Sequence, residues 1–192
     1  MTTHTTTLAD YQRKLSTNRL GLWLFILSDA FIFVALLVAR FYLLGRGERP
    51  EVSPWVGLGV TVVLLISSFF MNRAEIAVAF NDHKRFLNST LITLILGVLF
   101  LIGVVGVEWQ IAPFGPADSV AGSIFYTMTG FHAFHVLTGV IFLFIIYRNG
   151  RKGLYTAERH WAVEAGAVYW HFVDVVWIFF YPAIYLIGIA TL

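Results

Sequence analysis

Five long, almost uncharged apolar runs constrain this chain more than anything else in it. They cover about Leu20–Leu44, Trp55–Phe80, Leu91–Trp109, Ala121–Tyr147 and Trp161–Leu192. A bilayer core takes ~20 apolar residues per helical crossing, so each run predicts one span. The joints between them, Gly45–Pro54, Asn81–Asn88, Gln110–Val120 and Arg148–His160, are too short to hold a soluble domain. Composition agrees: of 192 residues, 58% are hydrophobic and 12% charged, against a charged share of roughly a quarter in soluble domains. The first run is too long for a signal-peptide core and lacks a small-residue cleavage site, so it reads as a retained helix. The expected fold is an all-α membrane protein, a bundle of five transmembrane helices forming one membrane domain over residues 1–192.

Basic residues orient such a bundle. Arg13, Lys14, Arg19, Arg73, Lys84, Arg85, Arg148, Arg151, Lys152 and Arg159 fall on the side of the N-terminus, against Arg40, Arg46 and Arg49 on the other. The N-terminus is therefore expected in the cytoplasm and the C-terminus in the periplasm. Trp23, Trp55, Trp109 and Trp161 lie near span ends, where indole rings favour the interface. A net charge of +2 with basic residues scattered over short joints gives no nucleic-acid surface. The absence of cysteine excludes disulfides, thiolate metal sites, iron–sulfur clusters and cysteine-bound copper.

Ionisable side chains within the apolar runs are the candidates for function, because each costs roughly 3 kcal/mol in hydrocarbon unless paired or wet. Asp29 lies in the first run, His132 and His135 in the fourth, and Glu164, His171 and Asp174 in the fifth. His132 and His135 are three apart, as are His171 and Asp174, so each pair shares a helix face. Glu164, His171, Asp174 and Tyr181 form one stripe, and Ser68, Asn72 and Glu75 a similar one on the second helix. Three readings are open: a structural hydrogen-bond network, a proton path, and haem ligation by histidines facing one another from the last two helices. Metal binding is the least supported, since the short His-x-x-His and His-x-x-Asp spacings mark no open site.

Gly97, Gly103 and Gly106 on the third helix are expected to permit close helix approach, and Pro182 to kink the fifth helix or end its regular part. Arg148, Arg151 and Lys152 are candidates for contact with anionic headgroups, with Arg85, Arg159 and His160 on the same side of the bundle.

Two segments carry more than physics requires: Gly130-Phe131-His132-Ala133-Phe134-His135-Val136-Leu137-Thr138-Gly139, and Glu164 followed by Tyr169-Trp170-His171-Phe172-Val173-Asp174-Val175-Val176-Trp177. Together they resemble subunit III of the haem–copper terminal oxidases, with Gly-Phe-His-x-x-His-Val in the penultimate helix and Trp-His-Phe-x-Asp-Val-x-Trp in the last. Leu24-Phe25-Ile26-Leu27-Ser28-Asp29 resembles a third landmark, although many cytochrome c oxidase members have Glu at the acidic position. Val168 stands where Trp is common. The likeness runs from about Gly21 to Gly188 and is closest to the five-helix bacterial forms.

The resemblance implies a non-redox subunit without haem, copper or catalytic residues of its own, these groups residing in subunits I and II. It implies a buried polar network of Asp29, His132, His135, Glu164, His171 and Asp174. It further implies bound phospholipid, support of proton uptake by subunit I and protection during turnover. Oxidase subunits I and II and membrane lipids are the implied partners, with a larger respiratory supercomplex left open. Alternatives are a quinol oxidase subunit III, a subunit III-like protein of a nitric oxide reductase, a b-type cytochrome anchor, or a small proton-coupled transporter.

Overall fold

A computed structural model describes the backbone of residues 8–191 and the side chains of residues 14–189; His4 and the side chain of Arg13 lie outside these. Five helices are each long and apolar enough to cross a membrane. They are α1 (Leu8–Leu44), α2 (Pro54–Ala79), α3 (His83–Ile111), α4 (Val120–Arg151) and α5 (Trp161–Leu186). Helices α1, α3 and α4 outrun their apolar runs because backbone hydrogen bonding and caps, rather than hydropathy, set their ends, whereas α5 stops at Leu186, short of the expected Leu192. Asp82, for example, accepts the Arg85 backbone N–H and starts α3 at His83, ahead of the apolar run. Ser119 starts α4 in the same way, through Gly122.

Helices α2, α3, α4 and α5 pack around one another as a ring, α2 closing against α5, and α1 leans from outside on α4 and α5. Lipid tails are as apolar as leucine, so small residues and polar contacts decide how such helices meet. The Trp170 indole fills the space over Gly97 of α3 and Gly139 of α4, and Val60 of α2 fills that over Gly103. Gly106 meets no neighbouring helix and opens instead on an apolar groove between α3 and α4.

Helix α1 buries little: Ile26, Phe33 and Leu44 are its buried apolar side chains among the described residues. Polar contacts attach it at three depths, through Arg19, Asp29 and Arg40. Those residues are ten and eleven apart, about three helical turns each, so they share one face.

Pro182 ends the regular part of α5, and Pro182–Leu186 continues as a π turn in which Ile187 N–H donates to the Pro182 carbonyl. The chain beyond it, Ile189–Thr191 (β2), pairs in parallel with Glu48–Pro50 (β1) of the first joint. Arg40, 0% exposed, ties these pieces together. Its Nε donates to Ala183 O at 2.6 Å, and its two terminal nitrogens to Gly45 O, Glu48 O and Ile187 O at 2.6, 2.9 and 2.7 Å. One guanidinium thus caps the C-terminal ends of α1 and α5 at once, where the helix dipoles favour a cation.

Candidate functional site

The α2/α5 seam holds a ladder of polar contacts spaced by sevens on α2. Pro54, Thr61, Ser68 and Glu75 repeat along that helix. Tyr181 donates to Pro54 O at 3.2 Å, Trp177 Nε1 to the Thr61 hydroxyl at 2.9 Å, and His171 Nδ1 bonds the Ser68 hydroxyl at 2.6 Å. Trp170 Nε1 adds a bond to Ser67 at 2.9 Å. Asp174 is 3% exposed and lies beside Ser68, with no donor in bonding geometry on either oxygen. A hydroxyl has one proton and two acceptor sites. Ser68 can therefore accept from a protonated His171 Nδ1 while turning its own hydrogen toward Asp174. Asn72 is exposed, so the α2 stripe keeps Ser68 and Glu75 but continues through Thr61 instead.

The other candidates divide into separate groups. Asp29 Oδ2 stands 3.4 Å from His135 Nε2, at the wall of a slot of about 470 Å³ between α1, α4 and α5. The Tyr169 hydroxyl, also lining that slot, donates to His135 O at 3.1 Å and bonds Thr138 at 2.7 Å. His132, 0% exposed, has no partner on either ring nitrogen and sits among Phe33, Phe100, Trp177 and Phe180, its ring centroid 4.8 Å from that of Trp177. At the N-terminal end of α5, Glu164 pairs with Arg19 at 2.9 Å and with His160 at 3.3 Å. The Arg19 guanidinium lies 6.0 Å from the Trp161 ring, and Glu75 of α2 is close enough to Glu164 and His160 to feel their charge.

Asp29 with His135, Glu164 with Arg19 and His160, and His171 with Ser68 thus make local contacts on different seams, while His132 and both Asp174 oxygens have no hydrogen-bond partner among the described residues. His171 is engaged with α2 while His132 packs among aromatic rings, so the two do not converge as opposed axial ligands would. Among the described residues no three His, Asp or Glu side chains gather closely enough to hold one metal ion. On the side of the N-terminus, Tyr147, Arg148, Arg151 and Lys152 line one surface recess, and Arg73, Asp82, Lys84 and Arg85 another. Arg85 is partly occupied by Asp82 at 3.4 Å, and His160 by Glu164.

The chain matches the family described as Cytochrome c oxidase subunit III over residues 2–189. It belongs to that family. Cytochrome c oxidase subunit 3 of Gadus morhua is 37% identical over 183 residues, spanning 88% of this chain and 69% of that protein. The corresponding protein of Thermostichus vulcanus is 35% identical over 176 residues, spanning 88% and 86%. That of Salmo salar is 37% identical over 183 residues. This subunit III chain is accordingly a multi-pass membrane protein of a respiratory oxidase family.

Two polar residues of this subunit III chain escaped the sequence reading. Arg40 counted only as a charge of the opposite side, because nothing local shows that its partners lie as far away as Ile187. Glu108 sat beside the expected end of the third span, yet a signal existed. It follows Gly97, Phe100 and Val104 at helical intervals, all on the buried face. Within the π segment Ile102–Glu108 its carboxyl is 2% exposed and accepts the Tyr185 hydroxyl at 2.7 Å.

Proposed function

We propose that this chain is the non-redox subunit III of a proton-pumping haem–copper oxygen reductase in a bacterial inner membrane. It packs against and stabilises subunit I, and subunits I and II carry haem and copper. It binds phospholipid, supports proton uptake and protects the enzyme during turnover. The observation that carries the reading is the family match over nearly the whole chain. The geometry supports it: Asp29, Glu164 and His171 each engage a side chain on a neighbouring helix, as befits a scaffold. Ten of the thirteen basic residues, counted above, favour a cytoplasmic N-terminal side. The Arg148–Arg151–Lys152 recess then lies at the depth of anionic headgroups. Cytochrome c is the proposed donor. Asp29, in place of Glu, favours the second reading, a quinol oxidase of the same architecture.

The test is extraction of tagged chain from its native membrane in mild detergent, with subunit identification and an optical spectrum. A haem–copper subunit I is expected to co-purify, chain stripped from it to be colourless, and the companion subunits to name the donor. Chain that emerges alone, or carrying its own haem, overturns the proposal. His171→Ala is expected to weaken retention of the chain in the complex with no loss of haem.

A further inference from the structure

Two histidine–carboxylate pairs in this chain are built alike. His135 Nδ1 lies 2.8 Å from Phe131 O, and His160 Nδ1 lies 3.0 Å from Thr156 O, each the carbonyl four residues back. A carbonyl can only accept, so in both rings Nδ1 carries the hydrogen. In a neutral imidazole the other nitrogen is then a bare acceptor. Yet Nε2 of His135 faces Asp29 Oδ2 at 3.4 Å, and Nε2 of His160 faces Glu164 Oε1 at 3.3 Å. A lone pair opposed to a carboxylate repels it; one added proton converts each contact into a charge-assisted bond.

Charge balance leads to the same result. Ionised Asp29 beside neutral His135 would leave one uncompensated negative charge at membrane depth, where the other polar groups facing the pair are Tyr169, Thr138 and His132. One proton neutralises this inner pair, as a low-dielectric setting demands. The inner pair lines a slot whose walls include Leu22, Phe25, Asp29, His135, Ala165 and Tyr169, whereas the outer pair stands apart from it, Glu164 meeting Arg19.

We propose that His160–Glu164 and Asp29–His135 are two proton-holding sites, each retaining a single proton between Nε2 and carboxylate at neutral pH. The outer site lies at the N-terminal end of α5 and the inner site at the wall of the slot between α1, α4 and α5. The proton comes from solvent and forms only an N–H or O–H bond. This deepens the proton-supporting role proposed above. It is read from spectra rather than turnover, so either can fail without the other.

The test is solid-state ¹⁵N NMR of histidine-labelled full-length chain in phospholipid bilayers at neutral pH, with infrared spectroscopy of ¹³C-carboxyl-labelled aspartate and glutamate. Two histidines are expected as imidazolium, or else with a protonated carboxyl partner. Asp29→Asn is expected to abolish one signal and Glu164→Gln the other, while Asp29→Glu and Glu164→Asp retain both. Where an amide variant fails to fold, His135→Gln and His160→Gln assign the same signals by their loss. Neutral rings beside ionised carboxylates, or imidazolium signals indifferent to the amide variants, overturn the proposal.

Discussion

Replacing Arg40 by Met keeps the apolar stem but removes the guanidinium and all four of its hydrogen bonds. Hydrogen bonds to a charged group contribute about 1.5–3 kcal/mol each when removed singly. The four here are not additive, because they share one side chain and the carbonyls at chain ends can recover some hydration. A net loss of about 4 kcal/mol is therefore expected, arising from carbonyls left without their charged donor. Arg40→Lys retains the charge but gathers its donors on one nitrogen, so it cannot span three donor positions; about 2 kcal/mol is expected. Arg46→Met on the exposed joint serves as control, within about 0.5 kcal/mol of the parent. The assay is SDS unfolding from mixed micelles, with protease access beyond Pro182 as a local readout, since release of the α5 end and β2 should precede global unfolding. An Arg40→Met protein within about 1 kcal/mol of the Arg46→Met control would refute the reasoning.

Gly97→Ala places a Cβ 2.5 Å from the Trp170 ring. Overpacking of about 1–3 kcal/mol then exceeds the helix-propensity gain of up to about 1 kcal/mol. Gly21→Ala, with open space around it, gains the propensity alone, so the two variants should move oppositely in the same SDS titration. Arg19→Ala breaks a bridge whose arginine is 55% exposed, so its cost should stay below about 1 kcal/mol and shrink further with added salt. Trp177→Phe leaves the buried Thr61 hydroxyl without its donor and should cost about 1–3 kcal/mol in the same assay. Replacing Arg148, Arg151 and Lys152 together by Ala should reduce anionic phospholipid retained through detergent purification, measured by mass spectrometry, with thermal unfolding almost unchanged.

The α2 stripe shows how far pattern carries. Ser68 and Glu75 are readable from spacing, because residues seven apart share a helix face whatever packs on it. Asn72, four from Ser68, belonged to the same expected stripe but falls on the exposed side. Only the position of α5 divides the two. The same limit separates the histidines. His132 and His135 share a face by their spacing, yet one is enclosed by aromatic rings and the other meets Asp29. The difference is that α1 reaches one of them with a carboxylate.

The sequence by itself determined five spans, the sides on which charge collects, and the inward stripes. Hydropathy and helical period are local properties of consecutive residues. The partners were decided by tertiary structure alone. Arg40 finds carbonyls at Ala183 and Ile187, Glu108 finds Tyr185, and Asp29 finds His135. Each of those contacts joins helices far apart in the chain, so its geometry exists only once the ring has closed and α1 has docked.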